Sequence, residues 1–90
     1  MRKVTEKVCR AFEEGRRLRC GNTHTDGTTL YLWGNAIAEH RANGLYITHA
    51  GWPTRTTCER LNGLTGVRVQ KRDGVLHCNG IPFNDWYHVV

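Results

Sequence analysis

The chain has no long apolar run and none of the common short motifs of catalysis or nucleotide binding. Its 90 residues hold no stretch of about 18 apolar residues that would predict a membrane-spanning helix. A Gly-rich phosphate loop, a metal-binding helix motif and a nucleophile elbow are all missing. The first residues, MRKVTEKVCRAFEEG, lack the apolar core of a signal peptide. The sequence therefore predicts an intracellular protein without familiar catalytic machinery.

The spacing of the cysteines predicts neither a structural zinc site nor disulfides. The four cysteines are Cys9, Cys20, Cys58 and Cys78. None belongs to a paired Cys-x-x-Cys motif, and disulfides are not expected without a secretory signal. We interpret the side chains as buried free thiols. The spacing leaves one alternative open, a zinc site formed by Cys20 and His24 with His77 or Cys78.

Acidic residues are the scarcer charge type, with 8 against 13 lysines and arginines and a net charge of +5. The excess is concentrated in residues 1–20, where seven basic residues face three acidic ones. Such a local positive field is typical either of a solvated helix face or of a surface that binds a partner of opposite charge, such as nucleic acid or an acidic protein surface. We call the predicted contact residues the basic face; they are Lys3, Lys7, Arg10, Arg16, Arg17 and Arg19.

Apolar residues near the start of the chain recur with the period of a helix. Val4, Val8, Ala11 and Phe12 form one stripe and predict an amphipathic helix over about residues 4–14. Gly15 is the expected stop.

Charged residues occupy a neighbouring stripe of this helix. Arg10 is spaced to pair with Glu6 and with Glu14. Arg16, Arg17 and Arg19 follow the helix and are expected to be uncompensated.

From residue 28 onward the pattern alternates with period two and turn signals are frequent. Leu30 and Leu32 are expected on one face of a strand, with Tyr31 and Trp33 on the other. Strands are predicted over about 28–33, 36–41, 45–49, 67–71, 75–78 and 86–89, with a short helix over about 57–62. The short connections favour hairpins. The prediction is one α+β domain, residues 1–90, with an N-terminal amphipathic helix and an antiparallel β-meander interrupted by one short helix.

The stretch AGWPTRTTCERLNGL, residues 50–64, is predicted to turn a strand into this short helix. Pro53 disfavours helix before it, and Thr56 with Glu59 matches a capping box. Asn62-Gly63 is the predicted left-handed stop.

That interpretation gives no structural role to Trp52, Thr54 and Arg55. Free N–H groups of a helix beside an arginine predict an anion or nucleic-acid contact at Thr54, Arg55 and Thr57. Trp52 is interpreted either as a packing residue or as a further contact residue.

The histidines and carboxylates show no spacing that requires a catalytic centre. No catalytic residue, metal ion or cofactor is predicted. Residues 23–26 are interpreted as a loop with Asx-type hydrogen bonds. A ribonuclease-like pair of His24 and His49 is the enzymatic alternative, because strands could bring the two side chains together.

Three segments of the chain resemble a group of small proteins encoded by tailed bacteriophages. The segments are LYLWGNAIAEHR, LYITHAGWPTRTTCERLNGL and VLHCNGIPFNDWYHV, within about residues 20–90. The matching positions are Gly34, Asn35, Ile37 and Ala38; Ala50 to Thr57 with Arg60, Leu61 and Asn62; and Asn79, Gly80 and Trp86. Trp33 departs from the group's pattern, which has His before Gly-Asn.

The resemblance implies a phage product in the host cytoplasm and implies no particular activity. Together with the basic face, it predicts a non-enzymatic accessory protein that binds a host or phage protein, or a nucleic acid. A small nuclease using the histidines and a minor virion component are the alternatives.

Overall fold

The computed structural model describes residues 2–89 and confirms the predicted α+β class. Two helices, α1 (Lys3–Glu13) and α2 (Arg55–Leu61), accompany a six-stranded and a three-stranded antiparallel sheet. The strands are β1 (Leu18–Cys20), β2 (Thr23–Thr25), β3 (Thr29–Leu32), β4 (Asn35–Arg41), β5 (Gly44–Ile47), β6 (Val69–Arg72), β7 (Val75–Cys78), β8 (Ile81–Pro82) and β9 (Tyr87–Val89).

Both sheets consist of hairpins between consecutive strands, except that β9 returns to the edge of the larger sheet beside β5. The larger sheet has the order β1-β2-β3-β4-β5-β9 and the smaller one the order β6-β7-β8. Asp73-Gly74 and Asn79-Gly80 join the strands of the smaller sheet through turns with positive φ at both residues, as expected for type I′ turns. Pro82 lies in an edge strand, where its missing N–H leaves no ladder bond unmade. The strand β9 pairs with β5 and not with β8.

One hydrophobic core joins the two sheets and the two helices. Val8 and Phe12 of α1 are fully buried and belong to the same cluster as Leu30 and Ile47 of the larger sheet. Leu76 of the smaller sheet joins that cluster. The larger sheet therefore has an inner face against the core and an outer face that points away from α1.

The strands β1 and β2 were not predicted, and the interpretation of residues 23–26 as a loop was wrong for residues 23–25. The inward positions of β2 are Thr23 and Thr25, which are buried but polar, so no apolar alternation marks the strand. Thr25 Oγ1 donates to the Thr29 carbonyl at 2.7 Å, which removes the cost of its burial. The Asx-type bonds do form, because the Asp26 carboxylate accepts from the N–H groups of Thr28 and Thr29.

The helix α2 begins at a different cap from the one predicted. Thr54 is the N-cap, and its hydroxyl accepts from the Thr57 N–H at 3.2 Å. Thr56 lies inside the helix. The Glu59 carboxylate contacts the Thr5 hydroxyl on α1 and does not reach back to the start of its own helix.

The end of α2 was also predicted wrongly, since neither Asn62 nor Gly63 adopts a positive φ. The Asn62 side chain bonds both backbone groups of Val69, at 2.7 and 2.9 Å, and ties α2 to β6. Gly63 instead allows a close approach of α1. A Cβ there would lie 2.5 Å from Thr5 Cγ2 and 2.7 Å from Cys9 Sγ.

Within residues 2–89, neither helix has the length and apolar character needed to cross a membrane.

Candidate functional site

All six residues of the basic face are exposed. Lys3, Lys7 and Arg10 lie on α1, on the side opposite its buried stripe. Arg16 and Arg17 follow in the connection to β1, and Arg19 lies on β1; all three are exposed.

The charge pairs of this face differ from those predicted. Arg16 forms an ion pair with Glu14, with 2.7 Å between guanidinium and carboxylate. The expectation that Arg16 has no acidic partner was therefore wrong. The predicted pairs of Arg10 with Glu6 and Glu14 do not form. Among the described residues, the other members of the basic face have no carboxylate within ion-pair distance. Their charges are therefore available to a partner.

Among the described residues, three shallow grooves contain members of the basic face, and one of them places Arg10 among the carboxylates of Glu6, Glu13 and Glu14. We call the other two the first and the second groove. Lys7, Arg10 and Arg16 line the first, with Glu6 and Leu18. The second groove contains Arg17, Leu18, Arg19, His24, Thr25 and Asp26. Hydrogen bonds from the backbone of Thr28 and Thr29 lower the pKa of Asp26 below its ordinary value, so this groove carries one carboxylate beside its two arginines.

The second groove continues onto the outer face of the larger sheet. Arg19, His24 and Tyr31 are cross-strand neighbours on β1, β2 and β3. The His24 and Tyr31 rings stack with centroids 4.6 Å apart and planes inclined by 12°. Arg19 therefore belongs both to the basic face and to a row of ring side chains.

A second group of rings occupies the far part of the outer face. The Arg41 guanidinium lies 4.2 Å from the Tyr46 ring centroid and 4.9 Å from that of Trp86. His88 stacks on the Tyr46 ring at 4.6 Å. Arg41 also forms an ion pair with Glu39 at 2.7 Å. The side chains of this group therefore already have stacking or ion-pair partners within the protein.

Two tryptophans are exposed at the end of the larger sheet, 59 % for Trp33 and 61 % for Trp52. Both line a small cleft floored by Ile37 and Ala50. Trp33 has a φ of 50° and Ala50 a φ of 54°, values that are uncommon for residues other than glycine. Trp52 thus contributes an exposed side chain and does not pack into the core.

The other three residues of the predicted anion contact, Thr54, Arg55 and Thr57, differ in how exposed their side chains are. Arg55 is exposed. Thr57 is buried, and its hydroxyl donates to the Trp52 carbonyl at 2.9 Å. The Thr54 hydroxyl is used by the helix cap. The structure leaves Trp52 and Arg55 as the accessible side chains of this predicted contact.

The two histidines of the enzymatic alternative are kept apart. His24 lies on β2 and His49 follows β5, and three strand spacings separate these strands, about 14 Å. His49 is buried beside Phe83, and its Nδ1 accepts from the Gly51 N–H at 3.1 Å. The described residues contain no cluster of three or more His, Cys, Asp or Glu side chains that could hold a metal ion.

Cys9, Cys58 and Cys78 lie in surroundings that favour the protonated thiol and raise its pKa. Burial raises the pKa of Cys9 to about 12, and the carboxylates of Glu13 and Glu59 add to that shift. Burial also raises the pKa values of Cys58 and Cys78. Since the thiolate is the reactive and metal-binding form, these side chains act as packing groups near neutral pH.

Sequence reasoning missed the role of His24 and Tyr31 as neighbours of Arg19. The alternation of Leu30 and Leu32 with Tyr31 did predict that Tyr31 faces away from the core. The missing information was the pairing of β1 with β2 and of β2 with β3, because those short polar strands give no periodic signal.

Comparison with known proteins finds a family model that matches the chain. A family model described as Kyanoviridae Gp96 protein matches residues 1–88. No curated protein and no solved structure match the chain.

Proposed function

This chain belongs to the Kyanoviridae Gp96 protein family of tailed phages, and we propose that it is a non-enzymatic binding protein whose partner is nucleic acid in the host cytoplasm. The basic face is the contact surface. The single observation that carries the proposal is that this face is exposed throughout and that, among the described residues, only Arg16 has a carboxylate partner.

A surface of this kind supports binding to a phosphate backbone. Each lysine or arginine that neutralises a phosphate releases condensed counterions, which drives association without sequence recognition. The ion pair of Arg16 with Glu14 is exposed on both sides, 54 % and 52 %, so opening it costs little. Arg17 and Arg19 need no such rearrangement.

The proposal is tested by measuring the anisotropy of a dye-labelled oligonucleotide during titration with protein. We expect the triple variant Arg16→Glu, Arg17→Glu, Arg19→Glu to bind at least tenfold more weakly, since three phosphate contacts become repulsions. All three side chains are exposed, so the variant is expected to fold, which circular dichroism checks.

The matched control reverses three charges elsewhere. Arg68, Lys71 and Arg72 are exposed near and on β6 of the smaller sheet. Their reversal changes the net charge by the same amount, so it separates a local contact from a general effect of charge. Equal losses in both triple variants, or unchanged affinity in the folded Arg16/Arg17/Arg19 variant, would contradict the proposal.

A protein partner is the second candidate, and the exposed pair Trp33 and Trp52 favours it. Tryptophan is enriched at the energetic centres of protein interfaces, and here two indoles share one cleft. Arg55 lies close by in sequence and is exposed, which suits a partner with a carboxylate beside its apolar anchor.

This second candidate is tested by capture from nuclease-treated host lysate. A protein partner at the cleft is expected to stay bound to the Arg16/Arg17/Arg19 variant and to be lost from a Trp33→Ser, Trp52→Ser variant. Capture that depends on the arginines and not on the tryptophans would instead assign the interaction to the basic face.

A further inference from the structure

Among the described residues, Tyr31 has one ring partner on the outer face and no guanidinium over its ring. One side of its ring stacks on His24. On the other side its cross-strand partner is Ala36 of β4, whose side chain is a single methyl group. Tyr31 and Ala36 are both partly exposed. Because the Ala36 side chain is only a methyl group, the outer face is low beside the Tyr31 ring, and we call this place the gap.

The other rings of this face do not offer an equivalent surface. Tyr46 has His88 stacked on its ring and the Arg41 guanidinium over it as well. Trp86 is also in contact with Arg41. An incoming planar group would have to displace these partners, whereas no ring of the described residues stacks on Tyr31 from the Ala36 side.

Positive charge lies on the same face as this gap but on the other side of His24 and Tyr31, since Arg19 is three strand spacings, about 14 Å, from Ala36. Arg19 is two strands from Tyr31, about 10 Å, with His24 between them. Arg17 lines the same groove as Arg19 and His24. Asp26 is the acidic residue of that groove, and its carboxylate accepts hydrogen bonds from the backbone of Thr28 and Thr29. The arginines can hold phosphates while a base lies against the tyrosine.

We propose that the gap between Tyr31 and Ala36 holds one base of a single-stranded nucleic acid, with Arg17 and Arg19 on its phosphates. This inference rests on the proposed function and names its substrate class. Stacking on an aromatic ring requires an unpaired base that can leave its neighbours. Paired bases inside a duplex expose no face to a flat sheet. The protein therefore discriminates in favour of single strands.

The test compares a dye-labelled thymidine oligonucleotide with a blunt duplex of equal length. Tyr31→Ile keeps a side chain suited to a strand and removes the ring. We expect it to weaken single-strand binding about tenfold and to leave duplex binding unchanged. Tyr31→Phe keeps the ring and is expected to bind as the wild type does.

A second pair of variants leaves the ring in place. Ala36→Ile fills the gap, and we expect the same loss of single-strand affinity as for Tyr31→Ile. Ala36→Ser, which stays small, is expected to bind normally. Thermal unfolding of all four variants checks that the sheet is intact.

The outcomes separate this inference from the function on which it rests. If the Arg16/Arg17/Arg19 reversal weakens binding but Tyr31→Ile and Ala36→Ile bind single strands as the wild type does, the base site is overturned and nucleic-acid binding stands. If neither nucleic acid binds the wild type, both proposals are overturned.

Discussion

Arg60 is 2 % exposed, and its guanidinium donates hydrogen bonds to groups from three elements. Its partners include Thr5 on α1 at 2.9 Å and Thr23 on β2 at 2.8 Å. It also contacts Asn22 at 3.2 Å and forms an ion pair with Glu59, its neighbour on α2. Since buried charge is costly without partners, this network is complete only in the folded arrangement.

We expect Arg60→Leu to lower the free energy of unfolding by about 3–5 kcal/mol, because it leaves Glu59 and the two threonines without their cationic partner. Urea unfolding followed by circular dichroism measures the loss. Arg55→Leu is the matched control on the same helix; Arg55 is exposed, so its replacement is expected to change stability by no more than about 0.5 kcal/mol. Equal effects would show that the network does not stabilise the fold.

Glu59 gives the same network a dependence on pH. Partial burial raises its pKa, but hydrogen bonds from Thr5, the Arg2 backbone and Arg60, with the charge of Arg60, lower the pKa below its ordinary value of 4.5. A carboxyl group with a depressed pKa in the folded state stabilises the protein above its unfolded pKa, and the stabilisation is lost as the pH falls through the folded pKa.

The wild type is therefore expected to be more stable than Glu59→Gln at neutral pH, and the difference is expected to shrink as the pH falls below about 4.5. Urea unfolding at a series of pH values measures it. Glu6→Gln removes an exposed carboxylate of α1 and controls for the change in net charge. A difference that stays constant down to acid pH would contradict a role for the charged form of Glu59.

At the scale of elements, the start of α2 distinguishes the observed cap from the predicted one. Thr54 bonds the Thr57 N–H, whereas Thr56 lies within the helix. Thr54→Ala is expected to lower the free energy of unfolding by about 1 kcal/mol, the usual cost of losing an N-cap hydroxyl. Thr56→Ala is the matched control, and urea unfolding compares the two. A larger loss for Thr56→Ala would support the capping box and contradict the observed cap.

Elements with a local signal were predictable from the sequence. The apolar stripe that includes Val8 and Phe12 gives α1 within one residue at each end. Asp73-Gly74 and Asn79-Gly80 fix their hairpins because glycine and asparagine or aspartate tolerate positive φ. In contrast, β2 buries two threonines, and Thr23 has its partner Arg60 far along the chain on α2. The pairing of β9 with β5 likewise depends on the packing of the whole chain.

In the candidate site, the properties of single residues were predictable, whereas their arrangement in space was not. The charges of the basic face follow from composition, and their exposure follows from the apolar stripe on the other side of α1. The position of Arg19 near Tyr31 does not follow from the sequence, because it depends on the register of β1 and β2, the two strands that were not predicted. The exposure of Trp52 also depends on its position at a turn, since a tryptophan in a small domain usually contributes to the core.

At the scale of the whole molecule, charge and aromatic surface are adjacent. The basic face meets the outer face at Arg19, while Trp33 and Trp52 lie at the end of the larger sheet, around their own cleft. The cleft lies close to the proposed base site, because Trp33 is two residues from Tyr31 and Asn35 of the cleft precedes Ala36. Substitutions at the arginines and at the tryptophans change the two surfaces one at a time.

The salt dependence of oligonucleotide binding tests the role of the basic face most directly. The logarithm of the affinity of the wild type for a single strand is expected to fall linearly with the logarithm of salt concentration. Arg16→Gln, Arg17→Gln, Arg19→Gln is expected to reduce the magnitude of that slope by about 2, because each phosphate contact contributes roughly 0.7. The same neutralisation at Arg68, Lys71 and Arg72 is expected to leave the slope unchanged. A slope near zero in the wild type, or one that the Arg16/Arg17/Arg19 variant does not alter, would contradict nucleic-acid binding by this face.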